Sequence, residues 1–212
     1  MVVDSAQMQL GLRERKKLET RRALERAALA LAAEHGFEHV TVERIAAAAG
    51  VSARTFFNYF SSKEEALIGF DPDEPERLRA ALAARPPHEP PLQSLRAVLS
   101  ARAAEFAAGH EQWLARRELI RSEPRLLSAN MAAWGALERA LVEGVAVRIG
   151  QDPERDLYPA LVVGASVAAA RVALMRWRSD RRVGLERLLG RAFELLERGL
   201  APPARAGARR GS

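Results

Sequence analysis

Four residues between positions 54 and 59 have the side chains and the spacing to form one hydrogen-bonding helix face: Arg54, Thr55, Asn58 and Tyr59. Residues three or four positions apart share one side of an α-helix. A guanidinium donates two parallel hydrogen bonds to guanine, a side-chain amide pairs with adenine, and hydroxyls reach bases or phosphates. No carboxylate lies on this face. The set therefore predicts a surface that reads base edges in a DNA major groove.

Two helices that cross steeply are needed to position this face, and residues 41–60 predict such a pair. We expect a helix over Val42 to Ala49 capped by Thr41, a turn at Gly50, and a helix over Ala53 to Phe60 capped by Ser52. A small contact residue and a miniature apolar core fit the same pattern. These inward positions are Ile45, Ala46, Ala49, Val51, Phe56 and Phe60. The competing interpretation is an ordinary helical hairpin whose exposed side carries the polar residues.

Cations flank the helix pair on both sides. Lys63 begins a further helix, which the capping box at Ser62 and Glu65 predicts to continue to about Phe70, and it could hold a phosphate together with the free amides there. The first helix, predicted over Arg13 to His35, opens with basic residues that could lie along the DNA backbone or enter a minor groove. They are Arg13, Arg15, Lys16, Lys17, Arg21 and Arg22. Interleaved Glu14, Glu19 and Glu25 fit a solvated helix face equally well.

Composition predicts an all-α fold with no catalytic centre. Of the 212 residues, 48% are hydrophobic, 28% charged and only 6% aromatic, and no alternating strand pattern occurs. The absence of cysteine excludes disulfides, thiolate nucleophiles and Cys-ligated zinc. The four histidines lack metal-ligand spacing, and no phosphate loop, nucleophile elbow or carboxylate pair is present. We therefore expect no enzyme activity, no cofactor and no metal, and the net charge of +6 favours an acidic partner such as nucleic acid.

Proline clusters and helical periods divide the chain. We expect a disordered arm at 1–12, a DNA-binding domain at 13–70 with the helix-turn-helix at 41–60, a second domain at 71–200, and a disordered tail at 201–212. The second domain is predicted to hold five helices: Leu92 to Ala108, Glu111 to Arg121, Pro124 to Ile149, Leu157 to Arg178 and Val183 to Leu200. The apolar stretch from Leu157 to Trp177 includes Arg171, and we interpret it as a buried helix of a soluble protein and not as a membrane span.

The segments Phe37 to Ala46, Ala49 to Ser52, Thr55 to Phe60 and Ser62 to Leu67 together resemble the signature of the TetR family of transcriptional regulators. The resemblance covers about Leu18 to Phe70. It implies a homeodomain-like three-helix DNA-binding domain followed by a helical domain for ligand binding and dimerisation. It also implies DNA contacts at Thr41, Ser52, Ala53, Arg54, Thr55, Tyr59 and Lys63. The sequence departs from the family at Phe57-Asn58-Tyr59-Phe60, where many members have Tyr-Tyr-His-Phe, which leaves the roles of Asn58 and Tyr59 open between base and phosphate.

The resemblance further implies a homodimer and a small-molecule effector. We expect dimerisation through helices 157–178 and 183–200, whose apolar stripes could instead belong to the core of one chain. Large, adaptable side chains and one cation could line a pocket for an apolar effector with an anionic group, although core packing would explain most of them. They are Phe106, Trp113, Arg117, Met131, Trp134 and Met175. The stretch Trp113 to Leu126 is also similar to a subgroup that includes the mycofactocin regulator, whose effectors are acyl-CoA type molecules.

These patterns predict a cytoplasmic regulator, associated with the nucleoid when bound to DNA and without a membrane partner. We expect a repressor that a small molecule releases from a palindromic operator. Activation in place of repression depends on operator position, which the sequence leaves open together with the target genes. The alternative function is a DNA-independent helical module, either a ligand-binding scaffold or an enzyme.

Overall fold

The computed structural model describes residues 11–108, 110–180 and 182–200, without the side chains of residues 12–14 and 105–114. This part of the chain is helical and has no strand, which confirms the all-α prediction. The α-helices, numbered in chain order, are α1 (Leu12–His35), α2 (Val42–Ala48), α3 (Ala53–Phe57), α4 (Lys63–Ile68), α5 (Glu74–Ala83), α6 (Pro91–Ala108), α7 (His110–Ser122), α8 (Pro124–Ile149), α9 (Leu157–Ser179) and α10 (Leu185–Glu197). The predicted arm and tail lie outside the described residues, except that α1 already begins at Leu12.

The described residues group into two compact units. The first unit contains residues 11–74 and 110–135, and the second contains residues 75–108, 136–180 and 182–200. Helix α7 and the beginning of α8, which we assigned to the second domain, thus pack with the first unit. The reason is that the Leu126 side chain is fully buried in the core of the first unit.

The core of the first unit is built from apolar side chains that α1, α2, α3 and α4 turn inward. Leu24, Ile45, Phe56 and Leu67 are fully buried, and each comes from a different one of these helices. A short 3-10 helix, Phe37–His39, follows α1 and adds the buried Phe37 ring. The inward positions predicted for the helix pair are buried or packed against this core.

The short helices α2 and α4 begin directly after the N-cap residues that were predicted from the sequence. Thr41 Oγ1 accepts a hydrogen bond from the Arg44 amide (3.3 Å) and Ser62 Oγ accepts one from the Glu65 amide (3.2 Å), so both residues are N-caps. The Glu65 carboxylate reaches back one residue further than a standard capping box and accepts from the Ser61 amide (2.7 Å). Gly36 ends α1 with φ 78° and ψ 156°, a positive φ that glycine adopts without the steric cost of a Cβ atom.

Helix α5 (Glu74–Ala83) is absent from the helices predicted from the sequence, because the proline cluster that contains Pro72 and Pro75 predicts a break there. Pro75 is only the second residue of the helix, and a proline is tolerated in the first turn because its missing N–H needs no partner there. Leu78 and Leu82 bury one side of α5 in the second unit. Helix α8 approaches closely at Gly144, where a Cβ atom would lie 2.8 Å from Leu82 Cδ1.

The loop between α5 and α6 is held by two charged residues of the second unit. The Arg148 guanidinium donates to the carbonyl oxygens of Leu82 (2.9 Å) and Pro86 (2.7 Å). The Glu89 carboxylate accepts from Arg85 Nε (2.8 Å) and from Ser94 Oγ (2.7 Å). These hydrogen bonds lower the pKa of Glu89 from 4.5 to about 2, with Arg85 as the largest cause and Ser94 next.

Helix α10 packs against α6 and α9 in the second unit, with Leu185, Leu189 and Phe193 buried. Core packing within one chain therefore accounts for this part of its apolar stripe. On α9, Val163 and Ala173 are buried, whereas Leu157, Leu161, Val172 and Met175 are exposed. Our prediction of a buried helix is thus correct for one side of α9 only. By length and mean hydropathy (1.7) this helix would be long and apolar enough to cross a membrane.

Candidate nucleic-acid interface

The turn between α2 and α3 has the geometry that a helix-turn-helix requires. Gly50 adopts φ 71°, a left-handed conformation that costs residues with a Cβ atom about 1–2 kcal/mol. The Val51 amide then donates to the Ala46 carbonyl (2.9 Å), which closes the turn. Ala46 is buried with 1% exposure, so its small side chain lies where the two helices meet.

Helix α3 is shorter than predicted, since it ends at Phe57 and not at Phe60. The next three residues continue as tight turns, with the Asn58 amide donating to the Thr55 carbonyl (3.1 Å) and the Phe60 amide to the Phe56 carbonyl (3.1 Å). Asn58 therefore keeps a right-handed helical backbone (φ −74°, ψ −12°) and remains on the same side as Arg54.

The outward face of α3 brings the predicted reading residues together. Arg54 and Asn58 are exposed, and Ala53, Thr55 and Tyr59 are half-buried beside them. Ser52 Oγ caps the helix by accepting from the Thr55 amide (3.1 Å) and lies 2.9 Å from Thr55 Oγ1. One of the two hydroxyl protons joins this pair, so the other is left for a phosphate or a base. Thr41 has the same property, because its hydroxyl oxygen accepts from α2 while its proton can be donated outward.

Phe57 was not among the predicted site residues, yet it is 58% exposed on this face. Its ring meets the buried Phe56 ring edge to face, with centroids 5.5 Å apart and planes at 88°. The signal in the sequence is the group of four aromatic residues at 56, 57, 59 and 60, which one inward side of a short helix cannot hold.

Lys63 lies at the start of α4 as predicted, but its ammonium group is engaged within the protein. Lys63 Nζ donates to the carbonyl oxygens of Phe37 (3.2 Å) and Val40 (3.0 Å) and lies 4.3 Å from the centre of the Phe37 ring. An ammonium group has three N–H donors, and two are used here. Lys63 thus ties α4 to the segment before α2, and one donor remains for a phosphate.

Arg21 has a structural role that its place among the basic residues of α1 does not predict. We counted it with the basic end of α1, but its side chain is nearly buried and donates to the Tyr59 carbonyl (3.1 Å) and to the Phe70 carbonyl. Its guanidinium also lies 4.3 Å above the Phe60 ring. Arg21 is therefore a support for the residues that follow α3 and not a cation on a DNA-facing surface.

The other basic residues of α1 are at the surface. Lys16 and Arg22 are exposed, and Lys17 pairs with Asp73 across 3.4 Å. The side chain of Arg13 lies outside the described residues. The exposed members of this group remain predicted backbone contacts.

A charged contact in the first unit connects α7 to the DNA-binding helices. The Arg116 guanidinium donates to the Leu67 carbonyl (2.9 Å) and to the Glu25 carboxylate (3.1 Å), and Glu25 also pairs with Arg21 (3.3 Å). Gly69, which ends α4 with φ 65°, leaves the space that the Arg116 guanidinium occupies.

The predicted effector residues are distributed over both units. Met131 and Trp134 are exposed on the part of α8 that belongs to the first unit, and Arg117 is exposed on α7. Met175 is exposed on α9 in the second unit, and the side chains of Phe106 and Trp113 lie outside the described residues. A cavity of about 250 Å³ in the second unit has none of these six residues in its lining, which comprises Gln93, Arg96, Ala97, Ser100, Glu186 and Gly190. The pocket assignment stays a prediction.

A capped helix pair closed by a glycine turn, with a carboxylate-free polar face on its second helix, defines a helix-turn-helix DNA-binding protein. Comparison with known proteins narrows this class. The profile described as "Bacterial regulatory proteins, tetR family" matches residues 25–68, and the profile described as "MftR C-terminal domain" matches residues 89–201. The chain belongs to the TetR family of bacterial transcriptional regulators.

Individual relatives agree with this assignment. The chain is 35% identical to the HTH-type transcriptional regulator TcmR of Streptomyces glaucescens over 173 residues, which cover 79% of this chain and 76% of TcmR. It is 28% identical to MftR of Mycobacterium tuberculosis, described as a mycofactocin biosynthesis transcriptional regulator, over 88% of this chain and 93% of MftR. The crystal structure of FadR from Thermus thermophilus in complex with lauroyl-CoA has a TM-score of 0.50 and 27% identity, covering 88% of this chain and 100% of FadR. These relatives are regulators and not enzymes.

Proposed function

We propose that this regulator is a homodimeric repressor whose two α3 helices enter successive major grooves of a palindromic operator. The main support for this proposal is the outward face of α3. Arg54 and Asn58 are exposed there, and their hydrogen-bonding groups can contact base edges. The hydroxyl that caps the helix lies beside them. In this arrangement the two recognition helices lie about 34–36 Å apart. Thr41, Lys63, Lys16 and Lys17 contact phosphates and set the register, with Arg13 in the minor groove or along the backbone.

The exposed side of α9 supports the dimer. Leu157, Leu161, Val172 and Met175 are 76%, 61%, 57% and 49% exposed and recur along one face of the helix. Gly164, Ala165 and Ala168 lie on the same face and leave room for close approach of a second helix. Two copies of this face, with the neighbouring α10, form a four-helix bundle between subunits in our proposal.

An acyl-CoA or a similar molecule is the effector class that we propose. The likeness to a FadR that was crystallised with lauroyl-CoA, at 27% identity, supports it. The candidate contacts are those predicted from the sequence, in which Phe106, Trp113, Met131, Trp134 and Met175 meet the apolar chain and Arg117 meets an anionic group. The protein acts in the cytoplasm, where both DNA and such molecules are found.

Release from DNA follows from differential affinity. The effector binds a conformation whose recognition helices no longer fit the operator, and each 1.4 kcal/mol of preference for that conformation lowers DNA affinity about tenfold. Bound operator lowers the affinity for the effector by the same factor.

A gel shift on the DNA flanking the protein's own gene, at fixed salt and with excess competitor DNA, tests the DNA-binding part of the proposal. We expect Arg54→Ala to weaken operator binding by about 1–3 kcal/mol and binding to random duplex much less, because Arg54 contacts a base. Lys16→Ala is the matched control, since an exposed cation on the backbone contributes equally to both duplexes. Equal losses for Arg54→Ala on operator and random DNA would contradict direct readout.

Addition of lauroyl-CoA to the same complex tests the effector class. We expect lauroyl-CoA to dissociate the protein from the operator at concentrations at which free coenzyme A leaves the complex intact. If lauroyl-CoA leaves the complex intact, the acyl-CoA proposal is wrong, while the DNA-binding proposal stands on the Arg54 result.

A further inference from the structure

The polar cavity of about 250 Å³ in the second unit lies between α6 and α10. Its walls come from one side of each helix, since residues three, four or seven positions apart share a helix face. The lining residues are Gln93, Arg96, Ala97 and Ser100 on α6 and Glu186 and Gly190 on α10. None of them is among the predicted effector contacts, so the cavity is a separate feature of the second unit.

Arg96 brings a half-buried cation to this cavity. Within the part of the chain that the structure describes, its guanidinium has no hydrogen bond and no ion pair. A guanidinium has five N–H donors, and shielding them from water without acceptors costs free energy. Its planar fork matches a carboxylate through two parallel hydrogen bonds. Arg96 therefore provides a binding group for an anion.

Gly190 makes the space that Arg96 uses. Arg96 Nη2 lies 3.2 Å from the position that a Cβ atom on residue 190 would occupy. Gly190 is in the interior of α10, where glycine is less favourable than alanine. An alanine there would crowd the guanidinium and narrow the cavity. The space beside Arg96 is therefore kept at a cost to the stability of the helix.

The opposite charge lines the same cavity. Glu186 precedes Gly190 by one turn of α10, about 6 Å along the helix axis. Its carboxylate forms no ion pair with Arg96 and has no other partner among the described residues. The amide of Gln93 and the hydroxyl of Ser100 add hydrogen-bonding groups to the lining. Two opposite charges that do not pair with each other leave room for a molecule between them.

We propose that this cavity binds a small zwitterionic amino acid, whose carboxylate pairs with Arg96 and whose ammonium group pairs with Glu186. A ligand with only a negative charge would be repelled by the Glu186 carboxylate, and one with only a positive charge by the Arg96 guanidinium. A zwitterion provides each of the two side chains with an opposite charge. The two groups are thus selective for ligands that carry both charges.

The size of the cavity agrees with such a ligand. Its volume of about 250 Å³ equals that of about eight water molecules in the liquid. Pockets for drug-sized ligands measure about 300–1,000 Å³, so a coenzyme A ester is too large for this one. The cavity is therefore a second small-molecule site, and its proposed ligand depends neither on DNA binding nor on the acyl-CoA effector.

Isothermal titration calorimetry of the full-length protein tests the site. The common L-amino acids are titrated one at a time, together with acetate and ethylammonium, which each carry only one of the two charges. We expect at least one amino acid to bind with one molecule per chain, and acetate and ethylammonium to bind about tenfold more weakly or less. At about ten times its Kd, the amino acid should raise the melting temperature by about 3–6 °C.

Substitutions in the lining assign the binding to this cavity. Arg96→Gln and Glu186→Gln each remove one charge and should weaken binding of that amino acid by about tenfold or more. Gly190→Ala should weaken it too, because the added methyl group displaces the guanidinium, while alanine favours the helix and keeps the protein folded. Arg187→Gln is the matched control, since it removes an exposed charge of α10 outside the lining and should bind as the wild type does.

The proposal is overturned if no amino acid binds at concentrations up to about 10 mM. It is also overturned if acetate or ethylammonium binds as tightly as the best amino acid, or if Arg96→Gln and Arg187→Gln have the same affinity. Should Arg96→Gln fail to fold by circular dichroism, Gly190→Ala and Arg96→Lys, which keeps the charge but lacks the planar fork, decide the matter through their own affinities. The titrations contain no DNA and no acyl-CoA, so a negative result leaves the proposed function standing.

Discussion

Cationic side chains serve the DNA-binding unit in two ways, which are distinguished by burial. Arg54 is exposed and can donate to a base, whereas Arg21 is nearly buried and supports the carbonyl groups of Tyr59 and Phe70. A buried guanidinium needs such acceptors to offset the loss of its hydration. Formal charge along the sequence therefore overstates the number of cations that DNA can contact.

Lys63 combines both roles, and its removal should have two effects. Lys63→Ala breaks the hydrogen bonds to the Phe37 and Val40 carbonyls and the contact with the Phe37 ring, so we expect a loss of about 1–2 kcal/mol in the free energy of unfolding. Binding to operator and to random DNA should weaken alike. Urea unfolding and gel shifts measure the two effects separately.

Lys16→Ala is the control for the Lys63 experiment. Lys16 is exposed on α1, so its substitution should change the unfolding free energy by less than about 0.5 kcal/mol while weakening DNA binding. A Lys63→Ala protein as stable as Lys16→Ala would show that the two carbonyl groups do not depend on the ammonium.

The role of a single residue can be predicted from the sequence when its hydrogen-bond partner lies only a few residues away. The caps at Thr41, Ser52 and Ser62 were predicted because each bonds to an amide three residues away. The roles of Arg21 and Lys63 were not predicted, because their acceptors lie 23 to 49 residues away and only the tertiary fold brings them together.

The helices show how far a local pattern defines an element. Periodicity and proline positions predicted α6 to α10 to within a few residues, since long amphipathic segments carry a strong signal. The short elements were less accurate: α3 ends three residues early, and α5 was missed because Pro75 was interpreted as a break. Pro75 fits into α5 because it lies in the first turn, where a missing N–H needs no partner.

We expect the hydrogen bonds of Glu89 in the loop between α5 and α6 to make the free energy of unfolding depend on pH in the acid range. The pKa of Glu89 is about 2 in the folded protein and 4.5 ordinarily, so the unfolded chain binds the proton more readily. The ionised carboxylate therefore contributes fully to the free energy of unfolding above about pH 4.5, and this contribution is lost as the pH falls toward 2. We expect the difference in melting temperature between wild type and Glu89→Gln to shrink over this range.

Glu118→Gln provides the matched comparison for this pH dependence. Glu118 forms an exposed ion pair with Arg121 on α7, so its removal should leave the melting temperature near that of the wild type throughout the acid range. A constant difference between wild type and Glu89→Gln from pH 6 to pH 2 would contradict the network described for the loop.

At the scale of the whole molecule, the exposed apolar face of α9 is a feature that contacts within the described part of one chain do not explain. The residues from Leu157 to Met175 span about 27 Å of helix at 1.5 Å per residue, a length suited to a subunit interface. The sequence predicted the apolar stripe but could not assign it to the core or to a partner, because a stripe does not specify which chain it meets.

Val172→Glu tests this interface. A carboxylate in the middle of an apolar helix contact would be desolvated without a partner, so we expect the dimer to dissociate. Light scattering after size-exclusion chromatography measures the change, with operator binding falling in parallel. Val147→Glu, an exposed apolar position on α8, should remain dimeric; dissociation by Val147→Glu alone would place the interface on α8.

The first unit is assembled from two separate stretches of chain, and this has a consequence for exchanging parts between regulators. Residues 11–74 contain the side chains that we propose to contact DNA, yet Leu126 completes their core and Arg116 bonds to Glu25 and Leu67. A chimera that transplants the N-terminal 74 residues alone would leave a cavity at Leu126 and would leave Glu25 with Arg21 but without its second partner, Arg116. A functional graft has to carry residues equivalent to Arg116 and Leu126 in its recipient, so operator specificity and α7 are inherited together.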